Sequence, residues 1–127
     1  MLRNGILNPQ VNSLLSRVRH TNTLVIADRG FPFWPQVETI DLTLVDDIPT
    51  VLDVLRALSA NFIIGKAWMA SEFREGVSPT THAAYTKLLP TIQFEAHVDF
   101  KRRVPSAIGL IRTADTIPYS NLILESA

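Results

Sequence analysis

Residues 19–32 read Arg19-His20-Thr21-Asn22-Thr23-Leu24-Val25-Ile26-Ala27-Asp28-Arg29-Gly30-Phe31-Pro32. Thr23 to Ala27 is an apolar, partly β-branched run without polar alternation, the pattern of a strand buried on both faces in a parallel sheet. A strand covered on both faces needs helices on both sides, so this run predicts a layered α/β domain. Asp28 then stands at the carboxyl end of the strand and His20 just ahead of it. Gly30, Pro32 and Pro35 break the chain into a loop that carries Phe31, Phe33 and Trp34.

Upstream, Asn8-Pro9 is a helix start, and Val11, Leu14, Leu15 and Val18 fall on one helical face, predicting a helix that ends near Arg19-His20. Downstream, Val37 to Leu44 partly alternates as a strand. Pro49-Thr50 opens a helix through Ala60, with Thr50 and Asp53 spaced as a capping box. Phe62 to Ala70 reads as a strand, Ser78-Pro79 to Leu89 as a helix, and Ile92 to Ala96 as a strand ending at His97. A short helix over Val98 to Arg103 and strands over Ala107 to Ile111 and Leu122 to Leu124 complete the chain. Strands alternating with helices predict an α/β fold: one domain over residues 1–127, a three-layer α/β/α sandwich on a mainly parallel, mixed sheet.

Composition narrows the function. Twelve basic against twelve acidic residues give no net charge, which removes the electrostatic case for nucleic acid or an anionic membrane as partner. No cysteine is present, so thiolate catalysis, thiolate metal sites and disulfides are excluded, in keeping with a reducing cytoplasm. No apolar stretch approaches the length of a membrane span. Three dispersed histidines, His20, His82 and His97, lack any local metal-ligand spacing, which makes a metalloenzyme a weak reading.

In open α/β sheets ligands bind beyond the carboxyl ends of the strands, where Asp28 and His97 are expected. Histidine exchanges protons near neutral pH, and a neighbouring carboxylate orients it and favours its charged form, which makes His20 and Asp28 a candidate acid/base pair. Taken alone, a histidine at a helix end is more often a cap and an aspartate after a strand more often a turn residue. His82 falls mid-helix and is read as surface. The Phe31–Trp34 loop is read as pocket wall or subunit interface rather than core, because a loop with two prolines is normally superficial.

The stretch from His20 to Pro32 resembles a segment of the D-ribose pyranase and L-fucose mutarotase family: Gly-His-Thr-Asp, an apolar strand, then Asp-x-Gly-Leu-Pro. Pro118-Tyr119-Ser120-Asn121 resembles that family's Pro-Tyr-x-Asn, and His97-Val98-Asp99-Phe100-Lys101 its His-x-x-Phe-Lys. Asn4 to Asn8, and Ile40-Asp41-Leu42 followed by Ile48-Pro49, are similar to other family segments, so the likeness runs the whole chain. The spacing around His97 fits the ribose branch better than the mutarotase branch. Arg29 departs from the family's small residue, and Phe31-Pro32-Phe33-Trp34 is bulkier than its Leu-Pro and aliphatics.

The resemblance implies a cofactor-free isomerase that interconverts pyranose and furanose, or anomeric, forms of ribose or a related aldose by general acid/base ring opening. Catalytic roles would fall to His20, Asp28, His97 and Tyr119, and sugar contacts to Lys101, Asn121 and Arg29 at the pocket mouth. It also implies a ring-shaped homo-oligomer, decameric in many members, with pockets near subunit contacts. The alternatives are a sugar-binding or transport-associated protein that keeps the pocket without turnover, or an L-fucose-type mutarotase.

Overall fold

A computed structural model describes residues 1–127. In chain order the elements are α1 (Pro9–Arg17), β1 (Thr23–Ala27), β2 (Thr39–Asp41), α2 (Val51–Ser59), β3 (Ile64–Ala70), α3 (Ser71–Gly76), α4 (Pro79–Thr86), β4 (Ile92–Glu95), α5 (His97–Arg103), β5 (Gly109–Arg112) and β6 (Leu122–Ser126). The strands form one sheet in the order β2-β5-β1-β6-β3-β4. β6 lies antiparallel to both β1 and β3, whereas β1 with β5, β2 with β5 and β3 with β4 are parallel. Five strands therefore point one way, and a single sheet edge collects their carboxyl ends together with the amino end of β6.

β1 is buried on both faces as its sequence requires. Leu24 and Ile26 enter a large core with α1, α2, α3 and α4, while Val25 and Ala27 enter a smaller one with Phe31, Trp68, Phe100 and Val104. The second face is covered thinly, by α5 and the loop after β1, so the sandwich has three unequal layers. Leu14 of α1 lies so close to β5 that a Cβ on Gly109 would stand 2.7 Å from both Leu14 Cδ atoms. That contact demands glycine there, because Leu14 is fully buried and has no room to yield.

Local chemistry explains the helix boundaries. Asn8 Oδ1 accepts the Val11 N–H ahead of Pro9, and Thr50 and Asp53 form the full capping box. Ser78 caps α4 in the same way.

Several elements differ from expectation. α1 stops at Arg17. β2 is three residues rather than eight, since Leu42 continues only through one hydrogen bond to the Arg112 carbonyl and Asp41 turns the chain by accepting the Thr43 N–H. α3 follows β3 without a loop and was not anticipated, because Ser71 to Gly76 is too short to show periodicity. His97 does not end β4 but opens α5. No helix is long and apolar enough to cross a membrane.

Candidate active site

At the carboxyl edge of the sheet a cavity of about 320 Å³ opens between three chain segments. The β1 exit supplies Asp28 to Pro32, the start of α5 supplies His97, and the β5–β6 connection supplies Asp115 to Tyr119 and Asn121. Asp28, Arg29, His97, Tyr119 and Asn121, expected far apart in sequence to share a site, thus line one cavity.

Asp28 is buried and held by its neighbours. Its carboxylate accepts the Gly30 N–H at 2.9 Å and the Asn121 side-chain amide at 3.1 Å, while its own backbone N–H donates to Asn121 Oδ1 at 2.7 Å. Burial pushes the Asp28 carboxyl up, against the pull of the Gly30 and Asn121 hydrogen bonds, and the Asp115 charge adds to the rise. His97 moves the other way. Burial, then the Lys101 ammonium, hold it below the ordinary imidazole range, opposed by Glu72 and Asp28. The acid is thus raised towards the range in which a carboxyl can hold a proton, while the lowered imidazole stays neutral and free to accept one.

Aromatic rings frame the cavity. The His97 ring meets Tyr119 edge-on at 5.0 Å between centroids, stacks on Phe100 at 6.0 Å and takes the edge of Phe31 at 6.0 Å. Phe31 is only 5% exposed, so this loop residue is core plug and pocket wall at once, contrary to the expectation of a superficial loop. Phe33, 69% exposed, fits that expectation. Tyr119 is 41% exposed and adopts φ +61, a left-handed conformation that tyrosine rarely takes.

Two expected site residues lie outside the cavity lining. Lys101 sits one helical turn beyond His97 on α5, acting on that ring through its charge. His20 stands at the opposite edge of the sheet, in an exposed turn where the Thr21 N–H donates to the Ser126 carbonyl. The extended run of β1 separates it from Asp28 by about 17 Å of strand, so the two do not pair within one chain. The turn is held locally: Asn22 Oδ1 accepts the Arg19 N–H at 2.8 Å, and Thr21 adopts φ +67. Besides Thr21 and Tyr119, only Asp47 among non-glycine residues has positive φ, and it accepts the Thr116 N–H and hydroxyl at the cavity rim. Strain of this kind persists where surroundings impose it, and clusters at working sites. His82 is half-buried, stacked on Phe94 at 6.0 Å, rather than free on the surface.

Sequence reasoning overlooked three residues that build the site. Arg112 donates to the carbonyls of Asp28 at 3.2 Å, Arg29 at 3.4 Å and Pro32 at 3.2 Å, clamping the β1 exit. Asp115, 2% exposed, accepts the N–H groups of Val51, at the start of α2, and of Ile117, fixing the β5–β6 connection. Glu72 accepts the His97 N–H. No cluster of three or more His, Asp or Glu side chains is arranged to hold a metal ion.

A family model spans residues 1–127, that of the RbsD / FucU transport protein family. The chain belongs to this family. Among RbsD / FucU relatives, the D-ribose pyranase of Geobacillus thermodenitrificans is 36% identical over 127 residues, covering 99% of this chain and 96% of the relative. That of Coprothermobacter proteolyticus is 34% identical over 128 residues, covering 99% and 97%. Bacillus subtilis RbsD, solved in complex with D-ribose, superposes with a TM-score of 0.92 at 30% identity, covering 100% of this chain and 98% of that one. The fucose mutarotase of Streptococcus pneumoniae, solved with L-fucose, shares the fold at TM-score 0.83 and 17% identity, covering 99% and 98%. The RbsD / FucU membership agrees with the α/β architecture and with the motifs that converge on the cavity.

Proposed function

We propose that this protein is a cofactor-free monosaccharide isomerase that interconverts the pyranose and furanose, or anomeric, forms of ribose or a related aldose. One observation carries the reading: Asp28, His97, Tyr119 and Asn121, from three separate segments, line a single polar cavity at the carboxyl edge of the sheet. The names of the relatives, D-ribose pyranase in both cases, point the same way.

Ring opening needs a base to remove the anomeric hydroxyl proton and an acid to protonate the ring oxygen as its bond to the anomeric carbon breaks. The open chain then carries a carbonyl, and attack by a hydroxyl with reversed proton transfers recloses the ring in another form. Each positioned donor or acceptor is worth about 10²–10⁴-fold. His97 suits one of these roles, being neutral enough to accept a proton, and Tyr119 touches its ring. Asp28 and Asn121 offer charged and neutral hydrogen-bonding groups to sugar hydroxyls, with Arg29 at the mouth and Lys101 behind.

His20 enters this scheme from a neighbouring subunit. Exposed apolar side chains occupy both edges: Phe33, Leu44, Val45 and Ile48 on loops of the carboxyl edge, Val98 at the start of α5, and Ile63 just ahead of β3. Contact between two different edges is heterologous and closes into a ring when the rotation permits. A ring-shaped homo-oligomer would bring the His20 turn of one copy towards the Asp28 cavity of the next. The same reading puts the enzyme in the cytoplasm, where a chain without cysteine needs no oxidising compartment.

Saturation-transfer NMR on a panel of aldoses tests the reading, since exchange between ring forms and anomers is observed directly. Accelerated exchange of at least one aldose, unaffected by chelator, is expected. Detectable binding with no enhanced exchange at high protein concentration would replace the enzyme with a sugar-binding protein.

A further inference from the structure

His97 is the first residue of α5, and Ala96 ahead of it has no side chain able to cap the helix. Its backbone N–H therefore lacks an intrahelical partner. The partner comes from α3: the Glu72 carboxylate brings Oε1 to 3.0 Å and Oε2 to 3.2 Å of the His97 nitrogen. Glu72 itself lines a separate cleft of about 200 Å³ behind Tyr119 and is not part of the Asp28 cavity.

The imidazole has an unfinished hydrogen-bond requirement. Its Nδ1 is shut from solvent with no partner, which leaves Nε2 as the nitrogen able to exchange a proton with a ligand in the cavity. When Nε2 gains a proton the ring becomes imidazolium, and both nitrogens must then donate. A buried N–H without an acceptor is costly. Nδ1 is only four bonds from the backbone nitrogen of its own residue, so the carboxylate already held on that nitrogen is the one best placed to receive Nδ1–H. The charged groups that act on the ring are Glu72 on α3, Asp28 beyond β1 and Lys101 on α5, and Tyr119 packs against it.

We propose that Glu72 is the positioning residue for His97: it pins the start of α5 by accepting the backbone N–H and receives Nδ1–H when the imidazole is protonated during turnover. The catalytic part rests on the isomerase reading above; the coupling between the two side chains does not. Such an arrangement stabilises the imidazolium only when it forms, while the resting ring stays neutral and ready to accept a proton. A carboxylate–histidine contact of this kind fixes tautomer and orientation together.

The test follows the His97 titration by NMR in the free protein, together with exchange kinetics, in wild type, Glu72→Gln and Glu72→Asp. The glutamine keeps an acceptor oxygen for the backbone N–H but loses the charge. Its His97 midpoint should fall below wild type, and kcat should drop about tenfold with KM nearly unchanged, a fraction of the ~10²–10⁴-fold due to a full acid or base. Glu72→Asp should recover part of the midpoint shift. An unchanged His97 midpoint in Glu72→Gln would overturn the proposal, as would a kcat loss that appears only with a lowered melting temperature. Absence of exchange in wild type would instead strike the isomerase reading, while the substrate-free titration would still decide whether Glu72 acts on His97.

Discussion

Asn121 grips Asp28 at both ends: its Oδ1 accepts the Asp28 backbone N–H at 2.7 Å and its Nδ2 donates to the Asp28 carboxylate at 3.1 Å. The two bonds together fix which way the Asn121 amide faces. They also join β6 to the exit of β1 at the floor of the cavity, across 93 residues of sequence. Replacement by aspartate keeps the acceptor for the N–H but sets a second carboxylate against the first, raising the Asp28 carboxyl further. Asn121→Asp should therefore lose exchange activity at neutral pH. Asn121→Leu should cost stability, about 1–3 kcal/mol, by leaving the Asp28 N–H buried without a partner. Melting curves and exchange rates on the two variants separate these effects.

Arg112 makes a second prediction. Its guanidinium spans three carbonyls of the β1 exit, a geometry that the single ammonium of lysine does not reproduce. Arg112→Lys should keep the fold yet loosen the Asp28 loop, lowering exchange by about tenfold, since small misplacements near a reacting centre are costly. An unchanged exchange rate would show that the clamp serves packing alone.

What could be read from sequence follows from how local each signal is. β1 was legible because five consecutive residues carry its pattern, and α2 because Thr50 and Asp53 state its cap within four positions. Asp28, His97, Tyr119 and Asn121 were recognisable as a set only through the resemblance to the family's motifs, and the parallel sheet explains why they meet. Glu72 and Arg112 were not, because each acts on backbone groups of a distant segment and a backbone leaves no mark in sequence. His20 and Asp28 do not pair within one chain for a related reason. Eight positions of separation look short, but most of them are spent crossing the sheet. Phe31 was misjudged because its two flanking signals, Gly30 and Pro32, describe the loop and not the direction of the ring.

The depressed imidazole gives a pH signature. His97 binds its proton less readily in the folded chain than in the unfolded one. The stability gained by keeping it neutral is complete above about pH 6.5 and is lost as pH falls through the lower folded value. The raised Asp28 carboxyl acts with the opposite sign: its contribution is present at low pH and is lost as pH rises through its folded value. The His97 contribution should therefore lower the melting temperature as pH falls below about 6.5, against the opposite contribution of Asp28, and His97→Asn should remove that His97 part of the curve. A His97→Asn profile parallel to wild type would remove His97 as its source.

The place of His20 yields the sharpest test of the assembly. His20→Ala should cut exchange by about 10²-fold or more with the fold intact, as for loss of a general acid or base, and Asp28→Asn should also be inactive. His82→Ala, altering a ring stacked on Phe94 away from the cavity, should leave exchange near wild type. If each site draws Asp28 from one copy and His20 from the next, refolding the two inactive variants together rebuilds intact sites. An equal mixture should recover about a quarter of wild-type activity, because half the copies carry Asp28 and half their neighbours carry His20 in a heterologous ring. A site confined to one chain gives no recovery at any ratio. Light scattering on the same mixtures must show a mass larger than a dimer, and a concentration-independent monomer would sink the shared site and the ring together.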